Sequence, residues 1–298
     1  MLWLVLALLG PPLWAGSNVF DSVLVRGKKA DRASLLLLTG AFTLIPALWI
    51  IVTGGFEMTP LFNIFVALGA GVVGLLVYYP YLRALQSSHA ANVILLWNAS
   101  PLFVALLAYL FLHERLSLEK YIAIGLLVLS ALTVALADQG FHLKKVSGAV
   151  RWMLLTVSLS AIEAILVKKT FGLLPVSTGI VWIGIGQFLT ALAFWIVTAL
   201  RARRISRSWK DIGLFAICGE VLNVAANLVT QVAISIGPIS LIKAVGGLQP
   251  LFVLLLTPLV FRFASKNAKI NDIPRVKLKP VLIASVLAIF GLFLLGDE

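Results

Sequence analysis

Apolar residues run along this chain in blocks of 18 to 25, uniformly apolar rather than alternating. Blocks of that length predict helices long enough to cross the hydrocarbon core of a bilayer. With no water to satisfy its amides, a spanning segment must close its hydrogen bonds internally, and barrel strands would alternate in polarity. The blocks fall at 2–25, 34–53, 61–83, 91–112, 119–137, 150–171, 177–200, 211–234, 238–262 and 279–296, which predicts ten spans. The first has the apolar stretch of a signal peptide, Leu2 to Trp14, followed by Ala15-Gly16-Ser17, but no basic region precedes it. It is therefore expected to stay as a helix, kinked at Pro11-Pro12.

Composition agrees with lipid as the solvent. Hydrophobic residues make up 61% of the 298 positions and charged ones 12%, with a mean hydropathy of +1.05; a water-soluble domain carries about 25% charged residues. The longest polar connection, Arg262 to Lys279, is eighteen residues, too short for a soluble domain. The single cysteine, Cys218, excludes a disulfide within the chain. The net charge of +12 does not point to nucleic acid, because the basic residues lie in short connections where the positive-inside rule accounts for them. Connections after the odd-numbered spans hold nineteen Lys and Arg, and those on the other side hold four: Arg115, Lys120, Lys168 and Lys169. The expected placement is a multi-pass protein of the cell membrane with both termini outside.

A shift of 149 positions lays Pro101-Leu102-Phe103-Val104 over Pro250-Leu251-Phe252-Val253, Leu106-Leu107 over Leu255-Leu256, and Ala84 over Ala233. The first two matches fall in the fourth span of a five-span half. A second copy with an odd number of spans must enter from the opposite face, so the expected fold is all-α, with ten transmembrane helices as two inverted five-helix repeats, 1–146 and 147–298. Such repeats place a solute site near the midplane, between the halves.

This pattern resembles the drug/metabolite transporter superfamily, in particular its EamA-like ten-helix members. The likeness is carried by Trp14-Ala15-Gly16-Ser17-Asn18 in the first span, by Pro101-Leu102-Phe103 followed by His113-Glu114-Arg115-Leu116 after the fourth, and by Gly125 in the fifth. The resemblance implies secondary transport of metabolites, amino acids, sugar derivatives or drugs, without a bound cofactor. Two features depart from it. The second Glu-Arg motif expected after the ninth span is replaced by Arg262-Phe263-Ala264-Ser265, and the charge count puts the termini outside where many relatives keep them in the cytoplasm.

Ionisable residues deep in a bilayer are costly, which makes Glu163, Glu220 and Lys243 functional candidates. In the eighth span Glu220, Asn223, Asn227 and Gln231 recur at intervals of 3, 4 and 4, a polar stripe on one helical face. The stripe suits a cavity wall, or amides that join helices. Thr156, Ser160 and Glu163 share a face of the sixth span. Glu163 resembles the membrane-embedded Glu of small multidrug resistance proteins, which implies proton coupling; the alternative is a structural hydrogen bond. At 1.5 Å per residue Lys243 lies roughly 7 Å into the ninth span, level with Asn227 at about 10 Å, whereas Glu220 is about 20 Å deep. No direct Lys243–Glu220 pair is therefore expected, and Lys243 is placed to attract an anionic group of a substrate; the alternative is a snorkelled or paired lysine. In the first half His89, Asn92, Trp97, Asn98 and the tyrosines 78, 79 and 81 occupy the third and fourth spans. The 149 shift sets Trp97-Asn98 against Gly246-Gly247. Some of the tyrosines are expected at the membrane interface.

The expected substrate-binding set is Glu220, Asn223, Asn227, Lys243, Trp97 and Asn98, with Glu163 and Glu220 as proton-coupling groups. The three histidines are scattered, so no metal site is expected, and no Gly-x-x-x-x-Gly-Lys-Ser/Thr loop supplies an ATP engine. No cofactor is expected. The leading expectation is a secondary active transporter, not an enzyme, for a small polar or zwitterionic metabolite. Its partners would be that small molecule and the lipid bilayer, with monomer and homodimer both open. The alternatives are a carrier of a lipid-linked or phosphorylated sugar and a non-transporting membrane scaffold. A membrane enzyme would need a catalytic pair, for which His113-Glu114 is the adjacent candidate.

The charge distribution predicts that the 201–210 and 262–279 connections are cytoplasmic. A cysteine introduced by Ser206→Cys should resist an impermeant thiol reagent in intact cells and react after permeabilisation. Labelling in intact cells would reverse the orientation.

Overall fold

The structure is a computed structural model that describes residues 2–26, 32–87, 93, 96–139, 143–201, 209–264 and 278–296. His89, Asn92, His142 and the basic stretches 202–208 and 265–277 lie outside the described residues. Among those described, every regular element is a helix. In chain order they are α1 Leu2–Arg26, α2 Arg32–Val52, α3 Leu61–Ser87, α4 Ser100–Phe111, α5 Leu118–Gln139, α6 Leu143–Leu173, α7 Val176–Arg201 and α8 Trp209–Ile236. The ninth span is divided into α9a Ile239–Val245, a 3-10 turn Gly246–Leu248 and α9b Gln249–Ala264; α10 is Leu278–Gly296. Residues 93, 96 and 97 are helical ahead of α4. The chain is an all-α membrane protein of ten spans, and eight described helices are individually long and apolar enough to cross a bilayer.

Large apolar side chains cover the outer faces: Trp49 and Val52 on α2, Phe62 and Phe65 on α3, Leu106 and Phe111 on α4, Ile289 and Phe293 on α10 are all exposed. In water so much apolar surface would drive aggregation; against lipid tails it is the required outer coat. Hydrophobicity cannot then hold the helices together, so close approach of backbones must.

The packing pairs reveal the symmetry. α1 packs on α8 as α6 packs on α3, and α1 on α9b as α6 on α4, while α2 packs on its own counterpart α7 and α5 on α10. Adding five to each helix number exchanges one set for the other. Both self-pairs run antiparallel: Gly40 faces Ala191 while Gly184 faces Ala47, and Ser130 bonds Ala284 while Lys120 reaches Leu294. Counterpart helices that run in opposite directions mean that the second half is inserted upside down. The two α2–α7 contacts are also reciprocal, a glycine of each helix against an alanine of the other, as an axis between them requires.

One pair of close approaches breaks this symmetry. Gly71 of α3 lies against the backbone of α7 at Ile183–Gln187, and Gly186 of α7 lies against Leu68. The symmetry mates of these helices, α8 and α2, touch far less. A side chain at Gly71 or Gly186 would collide with backbone that cannot swing away. Gly71→Val and Gly186→Val should therefore each cost about 1–3 kcal/mol as overpacking, read as a lower unfolding temperature in detergent. Gly172→Ala, at an exposed position with nothing near its missing Cβ, should leave that temperature unchanged or raised.

Candidate functional site

Two helices are interrupted at the centre of the molecule, and at matching places. The path into α4 turns at Asn98-Ala99, where the Ala99 N–H bonds the Leu96 carbonyl at 3.2 Å and the Leu102 N–H bonds the Ala99 carbonyl at 3.1 Å. The ninth span tightens to a 3-10 turn at Gly246–Leu248. These breaks lie 149 residues apart, each just before Pro101 or Pro250. A proline has no N–H to give to the preceding turn and starts a helix readily, so each proline ends one half-helix and begins the next.

Between the breaks lies a cavity of about 140 Å³, lined from both halves. That volume holds on the order of ten waters, which suits a small solute. Trp97 and Asn98 face it from the first break, Gly246 and Gly247 from the second, and Lys243 from α9a. Glu163 and Ser160 enter from α6, Asn223 and Asn227 from α8, and Tyr78 and Tyr81 from α3.

A connected chain of hydrogen bonds forms one wall. Asn223 is its hub: its Oδ1 accepts from the Tyr78 hydroxyl at 3.0 Å and from Asn227 Nδ2 at 3.1 Å, and its Nδ2 donates to Glu220 Oε2 at 3.2 Å. Glu220 Oε1 accepts from the Thr39 hydroxyl of α2. Glu220 is buried and stands behind the cavity lining, one hydrogen bond from it through Asn223. Gln231, the fourth residue of the stripe, is not on the lining, and its buried Oε1 has no partner.

Lys243 Nζ lies 3.4 Å from Glu163 Oε2, a partly exposed ion pair on the cavity surface and the one salt bridge among the described residues. The turn before α9a is clamped by two opposite charges. Lys168 Nζ donates to the carbonyls of Ile234 and Gly237 at 2.7 and 2.8 Å, at the end of α8. Glu114 accepts the N–H groups of Ile239 and Ser240 at 3.0 and 3.1 Å, at the start of α9a. Each charge opposes the partial charge of the helix end it meets, and together they set the register of Lys243. The carboxylate of His113-Glu114 is thus engaged in capping.

The structure brings Trp97, Asn98, Glu163, Asn223, Asn227 and Lys243 to one cavity and keeps Glu220 in contact with it. Thr156 bonds the Trp152 carbonyl instead of lining the cavity. The tyrosines divide: Tyr78 and Tyr81 face the cavity, while Tyr79 accepts two bonds from Arg83 and packs edge-on against Trp152. Sequence reasoning missed Asp21, at the end of α1 and on the lining. The signal was present, since Trp14, Ser17, Asn18 and Asp21 share one helical face by spacing and all line the cavity. Asp21 and Glu220 are close enough to interact electrostatically. Thr43, Gln187 and Gln249 are further lining residues that the sequence did not single out.

Residues 1–136 match the EamA-like transporter family. No curated protein matches the chain. A solved structure described only as a crystal structure of a protein superposes with a TM-score of 0.69 at 14% identity, covering 98% of this chain and 96% of its own. At that identity the likeness is one of fold, and it spans both halves.

The clamp generates a test of what positions the site. Glu114→Ala uncaps two N–H groups of α9a and should cost about 0.5–2 kcal/mol, seen as a lower unfolding temperature. The exposed Glu119→Ala should shift stability by less than about 0.5 kcal/mol.

Proposed function

We propose that this chain, whose residues 1–136 match the EamA-like transporter family, is a secondary active transporter of a small polar or zwitterionic metabolite. The family is one of membrane transporters, and eight described helices long and apolar enough to cross a membrane suit the chain to the bilayer. The observation that carries the finer reading is the cavity itself. It lies where both halves have an interrupted helix, and it collects amides, carboxyls and an ammonium in a protein whose outer surface is apolar. Polar groups deep in a membrane are costly unless they serve a polar occupant, and interrupted helices at the interface of inverted repeats are the usual surroundings of a transported solute.

In this reading Asn223, Asn227, Trp97 and Asn98 hold the solute, with Glu220 behind them, and Lys243 attracts its anionic group. Glu163 and Glu220 carry protons. Glu163 gives up Lys243 when a proton or the solute takes its place, which links solute to proton without a further cofactor. The halves 1–146 and 147–298 move against each other, in the cell membrane with both termini outside.

Purified protein in liposomes, offered amino acids, polyamines, sugar phosphates and organic cations, should exchange one class of solute by counterflow. Glu163→Gln should retain counterflow and lose accumulation driven by a pH gradient, and Glu220→Gln should lose that accumulation as well. Unchanged pH dependence in both variants would remove proton coupling, and absence of counterflow for every solute would favour a scaffold.

A further inference from the structure

Among the described residues the charges of the cavity do not balance. Lys243 is already answered by Glu163. Asp21 Oδ1 of α1 lies beside Gly219, the chain neighbour of Glu220 in α8, and among the described residues no lysine or arginine pairs with Asp21 or Glu220. The polar groups around them are neutral: Thr39 and Asn223 donate to Glu220, and the hydroxyls of Tyr78 and Tyr81 lie within electrostatic reach of Asp21. Two carboxylates sharing a buried site repel unless one keeps its proton or a cation joins them, and a cationic solute supplies that charge.

Two independent observations point to a ligand as the source of that charge. Asn98, only 3% exposed, is a lining residue of the same cavity, and its buried side-chain Nδ2 has no partner. A buried donor left unpaired costs about 1–3 kcal/mol, which an acceptor atom on an occupant would remove. The aromatic rings Trp14, Tyr78, Tyr81 and Trp97 also line the cavity, with Tyr81 and Trp97 edge to face at 5.4 Å. Ring faces attract an organic cation and tolerate its apolar body.

We infer that Asp21 and Glu220 form the subsite for a cationic amine of the transported solute, and that Asn98 binds a hydrogen-bond acceptor elsewhere on the same molecule. The assignment rests on the transporter reading and narrows it. An amine, alone or as the positive end of a zwitterion, fits the cavity; a phosphorylated sugar, bringing further negative charge to three carboxyls and one ammonium, does not. Glu220, reached through Asn223, shares the charge that Asp21 meets directly.

Binding to the purified full-length protein in detergent tests this with probes of one skeleton: cyclohexylmethylamine, cyclohexylmethanol, cyclohexanecarboxylate and 4-(aminomethyl)cyclohexanecarboxylate. The amine should bind at least tenfold more tightly than the alcohol or the simple carboxylate by thermal shift and calorimetry. Asp21→Asn and Glu220→Gln should each weaken the amine tenfold or more. Asn98→Ala should weaken the aminomethyl carboxylate more than the plain amine. Tighter binding of the simple carboxylate in the unaltered protein, which needs no variant to fold, would overturn the subsite. So would amine affinity unchanged in both Asp21→Asn and Glu220→Gln. Equal losses for both amines in Asn98→Ala would overturn the role of Asn98. Amine binding without solute flux in liposomes would overturn the transporter reading and leave the subsite standing. Flux confined to anions would do the reverse.

Discussion

Hydrocarbon supplies no hydrogen bonds, so a backbone group released inside the membrane must find its partner in protein or in a protein-lined cavity. This constraint organises the molecule. Interrupting a helix is tolerable only where other helices surround the break, and the two breaks, at Asn98-Ala99 and Gly246–Leu248, come together in the interior between the halves. From there the remaining features follow. The side chains beside the breaks have a shared polar space, the outer faces are left to Leu, Val, Ile and Phe, and the helix pairs that enclose the breaks must approach through Gly and Ala.

Much of the fold was legible because the membrane imposes a length. Uniform apolar runs predict ten spans, and where residues are described their ends agree with the helices to within a few residues, except that α6 begins earlier, at Leu143 rather than at 150. The Pro101 and Pro250 match was legible for a related reason: a proline that restarts a helix leaves a signature that survives when the surrounding apolar residues drift. What the runs could not convey was how the helices rotate about their axes. Tyr78 and Tyr79 are adjacent, yet one bonds Asn223 in the cavity and the other bonds Arg83 and packs against Trp152. Only the packing of α3 between α6 and α7 decides which faces inward.

The candidate site was legible one helix at a time. The stripe Glu220-Asn223-Asn227 could be found because its spacing lies within a single helix, and depth counted along the chain gave no reason to pair Lys243 with Glu220. The partner Lys243 does take, Glu163, lies eighty residues away in sequence, and no periodicity records a contact between α6 and α9a. Asp21 was passed over for a different reason. It stands at the boundary between an apolar run and a basic connection, where a carboxylate looks like part of the loop, although its spacing from Trp14, Ser17 and Asn18 puts it on the cavity face.

The departure from symmetry bears on how such a molecule works. Gly71 and Gly186 draw α3 and α7 together a little before the middle of each helix, whereas their counterparts α8 and α2 are packed less closely and meet through Thr39 and Glu220. The halves therefore share a fold but occupy different arrangements. In an inverted repeat, exchanging the two arrangements yields the same structure facing the opposite side, so close packing of α8 on α2 would accompany separation of α3 from α7. Glu220 sits at the contact that would tighten in such an exchange, and it also belongs to the carboxyl pair of the proposed amine subsite. Occupancy of that pair would reduce the repulsion between α1 and α8 at the place where the second contact has to form, which gives the charge on the solute a direct influence on which of the two arrangements is favoured.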